Sequence, residues 1–202
     1  MTTSLKLIAS FKAVLSSNLK SLLKINKLFL YFFIFIFTQF NSFNNLNANC
    51  FDKYCFPKEI NISNTKLKYH NFHKFTYYLV DLYYIASYFD ESNPENRALV
   101  LYYLRDFKKD VLIDAGDKLL KKNPNFQESF IGPLASFNSY YQDIKETNTY
   151  TLGSVNKELS LTKNNQFLGS IKFEDFSKIY TDIWFDKKFG ANKTMAKKLN
   201  TD

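Results

Sequence analysis

The sequence predicts an α+β fold: an antiparallel β-sheet with helices layered on one face. Three observations predict it. Aromatic and β-branched residues crowd the stretch from 72 to 104, two stretches after it carry helical apolar spacing, and short strand signals resume from 149 before a last helical stretch. An order of strands, two helices, strands and helix segregates the two element types, as α+β architectures do, instead of alternating them as a parallel sheet requires.

Residues 74–79 and 82–89 lack a helical period and are rich in Phe, Tyr, Leu and Ile, so they read as strands closed by the turn-forming run DESNPEN at 90–96. Residues 98–104, ALVLYYL, read as a further, largely buried strand. From 109 to 122, Val111, Leu112, Ala115, Leu119 and Leu120 fall on one helical face. Residues 126–145 place Phe130, Leu134, Phe137, Tyr141 and Ile144 on one side of a second helix that Gly132–Pro133 is expected to kink or split. Short strands at 149–152, 159–162 and 167–171 follow, the last two joined by a polar turn. Residues 173–187 return to helical period, with Lys178 and Asp182 expected on the solvent side and Trp184 as a core anchor.

The N-terminus has the order of an address. Lys20, Lys24 and Lys27 precede the uncharged run LFLYFFIFIF at 28–37, and a polar stretch leads to Asn49. That is the basic, apolar, polar order of a secretory signal. Residues 1–48 are therefore expected to be a signal peptide or, uncleaved, an N-terminal anchor that is the chain's only link to a membrane. Residues 49–66 are expected to be an irregular linker holding the cysteine pair, and 67–202 to be the folded domain. The expected destination is the periplasm or an equivalent exported space.

The net charge of +8 does not point to nucleic acid. Residues 1–48 hold five lysines and no acid, which leaves 22 basic and 19 acidic residues in 49–202. A nucleic-acid footprint belongs on the folded domain and leans on arginine, and this chain has two, Arg97 and Arg105. Cys50 and Cys55 lie just after the expected cut. They lack the C-x-x-C spacing of redox sites and the partners of a four-ligand zinc site, so they read as a local disulfide. No phosphate-cradling glycine loop, zinc spacing or Ser–His–Asp order appears, and no cofactor is implied.

Four segments, in order, resemble the bacterial branch of the chalcone isomerase-like family. They are 81–89 (DLYYIASYF), 98–107 (ALVLYYLRDF), 137–152 (FNSYYQDIKETNTYTL) and 164–184 (NNQFLGSIKFEDFSKIYTDIW). The resemblance spans roughly 67–199. It implies an open-faced sandwich, an antiparallel sheet with helices on one face and a cleft between them. The plant isomerases use an arginine on an early strand, and the position here is Lys74, a point charge in place of a planar fork. Their helix Tyr and Asn find no match in 108–121. The resemblance therefore implies a non-catalytic protein that binds a small hydrophobic, fatty-acid-like ligand, with Lys74, Tyr83, Tyr84 and Arg105 as candidate ligand-binding residues. An intramolecular lyase acting on a phenolic enone, or an envelope interaction protein, are the alternatives. For Arg105–Asp106, a structural tie between the strand end and the next helix, with Asp106 capping it, competes with a ligand-facing cation.

Overall fold

The computed structural model describes residues 48–52 and 54–200. The expected signal or anchor lies outside them.

Seven strands form one antiparallel sheet in sequential order: β3 (Glu59–Ile62), β4 (Thr65–Tyr77), β5 (Val80–Phe89), β6 (Arg97–Tyr103), β7 (Thr149–Val155), β8 (Glu158–Lys163) and β9 (Gln166–Lys172). A separate hairpin pairs β1 (Ala48–Phe51) with β2 (Tyr54–Pro57). The helices are α1 (Lys109–Leu120), α2 (Ile131–Asn138), α3 (Phe176–Phe185) and α4 (Lys193–Leu199). Short connections join all neighbouring strands but β6 and β7, so the sheet is a meander; α1 and α2 come from the long β6–β7 connection, and α3 and α4 from the segment after β9.

Side chains alternate between the two faces of a strand, and both faces of β5 and β6 are buried. On one face Ile85, Phe89, Leu99, Leu101 and Tyr103 meet Leu120 of α1, Phe137 of α2, Tyr180 and Ile183 of α3, and Met195 and Leu199 of α4. On the other, Tyr84, Ala86, Tyr88, Ala98, Val100 and Tyr102 meet Phe56 of β2, with Phe51 and Tyr54 packed against them. Burial on both faces explains why β5 and β6 read as continuous apolar runs without alternation.

Several expectations are corrected. The span 49–66 is not irregular: it supplies the β1–β2 hairpin, β3 and the start of β4, and its alternating Phe51, Tyr54, Phe56, Ile60 and Ile62 cover the sheet. The first two strands are closed by Tyr78–Leu79, both at positive φ, while 90–96 joins β5 to β6. Bulky residues disguise that turn, because Asn and Gly are the usual residues there. The second helix ends at Asn138. Gly132 and Pro133 sit in its first turn, where a proline lacks nothing the helix needs, so they start α2 instead of splitting it. A fourth helix, 193–199, follows α3; Asn192 caps it by accepting a hydrogen bond from the Met195 N–H at 3.0 Å.

Asp182 is buried instead of solvent-facing. Its Oδ1 accepts from the Arg97 guanidinium at 2.7 Å, and that guanidinium also lies 4.4 Å from the Phe185 ring centre. Asp106 does not cap α1. It accepts from the Glu146 N–H and from Lys145, fastening the end of β6 to the loop before β7. Asp143, from that same loop, holds the start of α1 by accepting from the Lys109 N–H and the Lys108 ammonium.

Candidate ligand-binding site

β4, β5 and β6 place the four residues expected at a site on two different faces. Lys74 pairs across the sheet with Tyr84, and Phe75 with Tyr83. Cross-strand partners share a face and successive residues alternate. Lys74 and Tyr84 therefore share the face covered by the β1–β2 hairpin, and Tyr83 points toward the helices.

On the hairpin face Lys74, Tyr84 and Arg105 gather around two carboxylates. Lys74 Nζ lies 2.8 Å from Asp81 Oδ2, and the Thr76 hydroxyl donates to Asp81 Oδ1 at 2.6 Å. These two hydrogen bonds, with the nearby positive charge, hold the Asp81 carboxyl below its ordinary value, and Asp81 in turn raises Lys74. Arg105 Nε donates to the Asp81 carbonyl at 3.3 Å, and the Tyr84 hydroxyl donates to Asp52 at 3.0 Å. Each cation here already has a protein acceptor. Cys50 and Cys55, at the turn that carries Asp52, are disulfide-bonded.

On the helix face the sheet and helices enclose a layer of phenols. Tyr83 and Tyr103 come from β5 and β6, Tyr150 from β7, Tyr141 from the segment after α2 and Tyr180 from α3. The Tyr141 and Tyr180 hydroxyls are 2.7 Å apart, and Tyr150 donates to the Gln142 carbonyl at 2.8 Å. The Trp184 indole acts on the Tyr83 hydroxyl against the effect of burial. Phe130, Phe137 and Phe176 fill the space between these rings. Burial pushes Tyr83 and Tyr180 up and holds Tyr103 and Tyr141 well above the ordinary phenol range, with the neighbouring phenols adding to the last two. A neutral phenol buried in an apolar shell donates a hydrogen bond and does not act as a base near neutral pH. Tyr141 and Tyr180 feel the carboxylate of Asp117, which is engaged by the Asn138 amide at 3.0 Å.

Sequence reasoning picked out Tyr83 from this layer and missed Tyr103, Tyr141, Tyr150 and Tyr180. Tyr141 was read as one more apolar helix position. The four are brought together from β6, β7, α3 and a connection, and no spacing in the chain encodes that meeting.

Arg97 was also missed. It walls a cleft of about 530 Å³ where β6 begins and β7 ends, together with Asn96, Ser154, Asn156, Lys157 and Lys178. It donates to Thr181 at 2.7 Å and to the Lys178 carbonyl at 3.1 Å, besides Asp182. The signal available was its rarity as one of two arginines. Among the described residues no cluster of His, Cys, Asp and Glu is suited to a metal ion, and no helix is long and apolar enough to cross a membrane.

No protein-family model matches this chain, and no curated protein does. Among solved structures, the crystal structure of an Arabidopsis thaliana fatty-acid binding protein superposes with a TM-score of 0.57 at 14% identity, over 75% of this chain and 95% of that one. At that identity the likeness establishes the fold: an α+β open-faced sandwich of the chalcone isomerase-like type.

Proposed function

We propose that this chain is an exported, non-catalytic binding protein for a small hydrophobic ligand of fatty-acid type, a member of the exported bacterial branch of its fold family. The observation that carries the reading is the phenol layer between sheet and helices. It offers hydrogen-bond donors inside an aromatic and aliphatic shell, the combination that holds an apolar tail and orients a polar head. The likeness in fold to a fatty-acid binding protein supports the same ligand class.

The ligand's tail takes the space that Phe137 vacates beside Phe130 and Phe176, and its head takes hydrogen bonds from Tyr141, Tyr180 and Tyr83. Entry displaces α2, an eight-residue helix that buries Leu134 and Phe137 and leaves Ile131 outside. Lys74, Tyr84 and Arg105 lie on the opposite face and form a separate polar cluster. Export is supported by the basic–apolar–polar order of residues 20–48 and by the Cys50–Cys55 disulfide, which suits an oxidising compartment.

Native mass spectrometry of the purified chain, before and after addition of a long-chain fatty acid, tests the binding. A stoichiometric adduct that is lost in Tyr141→Phe/Tyr180→Phe supports it. Absence of any adduct at micromolar fatty acid, with the fold intact by circular dichroism, ends it. N-terminal sequencing of the protein recovered from the expressing cell's exported fraction tests the address.

A further inference from the structure

The tip of the β4–β5 hairpin presents four consecutive apolar side chains to solvent. Tyr77 is 58% exposed, Tyr78 84%, Leu79 99% and Val80 36%. The rings of Tyr77 and Tyr78 pack edge to face at 4.5 Å, so the tip is a small aromatic wedge with Leu79 at its apex.

The backbone beneath them is costly for such residues. Tyr78 and Leu79 have φ of 45° and 65°. Three other two-residue hairpin turns among the described residues adopt the same pair of positive angles: Ser63–Asn64, Asn156–Lys157 and Asn164–Asn165. Each of those contains Asn, the residue that tolerates this conformation, and none is apolar. The fold therefore makes this turn with ordinary turn residues elsewhere and departs from them only where two bulky apolar groups are held out into water. Among the described residues, the ring contact made there is that between Tyr77 and Tyr78, within the tip itself.

We propose that residues 77–80 are a membrane-contact wedge that inserts into the interfacial zone of a lipid bilayer. The shape selects this occupant. The tip is a convex two-residue turn, not a groove, and four side chains fall far short of the roughly 800 Å² per partner that a stable protein–protein contact buries. Tyrosine is the residue that settles at the boundary between headgroups and acyl chains, and leucine goes deeper. The charges behind the tip are balanced, Lys74 and Arg105 against Asp81 and Asp52, so the contact is driven by apolar insertion and does not require anionic lipid. The contact holds whether or not the domain carries a ligand, and it is read by a different signal.

The 28–37 run can bind lipid by itself, so the test reads the tip locally. Leu79→Trp in the full chain is mixed with phosphatidylcholine vesicles containing doxyl-labelled lipid, with the signal of Trp184 subtracted using the unaltered chain. Insertion gives a blue shift and quenching by labels near the headgroup, both unchanged by salt. Hydrogen exchange of the unaltered chain supplies a second reading, with vesicles slowing exchange across 76–81. In Tyr78→Asn/Leu79→Gly, which suits the turn and keeps the hairpin, that protection is lost. Absence of both quenching and protection, even where the chain sediments with the vesicles, overturns the proposal. Protection of the tip by a copurifying protein but not by vesicles overturns it too, and gives the tip to a protein partner.

Discussion

The Arg97 guanidinium at the start of β6 lies 2.7 Å from the Asp182 carboxylate in the middle of α3, and the two side chains are only 12% and 10% exposed. One guanidinium thus joins sheet to helix, with Thr181, the Lys178 carbonyl and the Phe185 ring as further partners. Removing Asp182 leaves the Arg97 guanidinium buried without a carboxylate, at a cost of about 3–5 kcal/mol. Removing Arg97 leaves Asp182 with Lys178 at 3.4 Å. Asp182→Ala is therefore expected to destabilise by that order in urea unfolding and Arg97→Ala by less, and Arg97→Met/Asp182→Leu is expected to cost less than Asp182→Ala, because it leaves no buried orphaned charge.

The Tyr141–Tyr180 hydroxyl pair gives a second expectation. Tyr180→Phe leaves the Tyr141 hydroxyl buried without its partner, a loss of about 1–3 kcal/mol. A double-mutant cycle with Tyr141→Phe measures the coupling; a doubly substituted domain closer to the parent than either single variant is the expected pattern. Gly116 of α1 lies beside this pair, and a Cβ there would meet the Tyr180 hydroxyl at an ordinary 3.7 Å. Gly116→Ala should therefore stabilise the domain, by up to about 1 kcal/mol from helix propensity.

The same phenols set the alkaline limit. Burial raises the folded-state pKa of Tyr103 and Tyr141 well above the ordinary phenol value. The folded state thus favours the protonated form. Its stabilising contribution is complete below the unfolded phenol pKa of about 10 and is lost as pH rises above it toward the folded value. Ultraviolet titration should show some tyrosines failing to ionise until the domain unfolds.

On the acid side His73 acts with the opposite sign. Burial, and then the positive charge of Lys198 on α4, lower its pKa. Folding favours the neutral ring, so this contribution is complete above the unfolded pKa of about 6.5 and is lost as pH falls through that value toward the lowered one. Hydrogen-exchange protection factors in 193–200, corrected for the intrinsic rate at each pH, should fall between neutral and mildly acid pH, and His73→Gln should flatten that dependence.

Reduction tests the hairpin. Cys50–Cys55 closes a short loop whose aromatic residues cover Tyr102 and Phe72 through ring stacking. Loop entropy for a closure of this length amounts to about 2 kcal/mol. Cys50→Ala/Cys55→Ala should lower the unfolding midpoint by a corresponding amount and expose Tyr54 to solvent by fluorescence quenching.

Local chemistry in the sequence was enough for the sheet-and-helix composition, because strand and helix differ in period and that period is written residue by residue. The runs from 82 to 104, the apolar face of α1 and the polar turn at 164–165 all speak for themselves in this way. The turn at Tyr78–Leu79 did not, since its residues are the reverse of those its geometry favours. Nor did the β1–β2 hairpin, whose short strands gain their stability only from the sheet beneath them.

The candidate site was legible only in part for a related reason. Lys74 and Arg105 do meet at Asp81, with Tyr84 beside them on Asp52, but strand alternation turns Tyr83 to the other face, where it joins four phenols from distant segments. Asp182 read as a solvent-facing acid because a helix of polar and apolar residues gives no hint of a partner 85 positions earlier. The sequence by itself determined β5 to β9, the principal helices and the order that makes an α+β sandwich. Only the tertiary structure decided which side chains share a face, which charges are buried together, and which apolar residues remain outside. Those are relations between segments far apart in the chain, and they exist only once the sheet has set its register and the helices have closed over it.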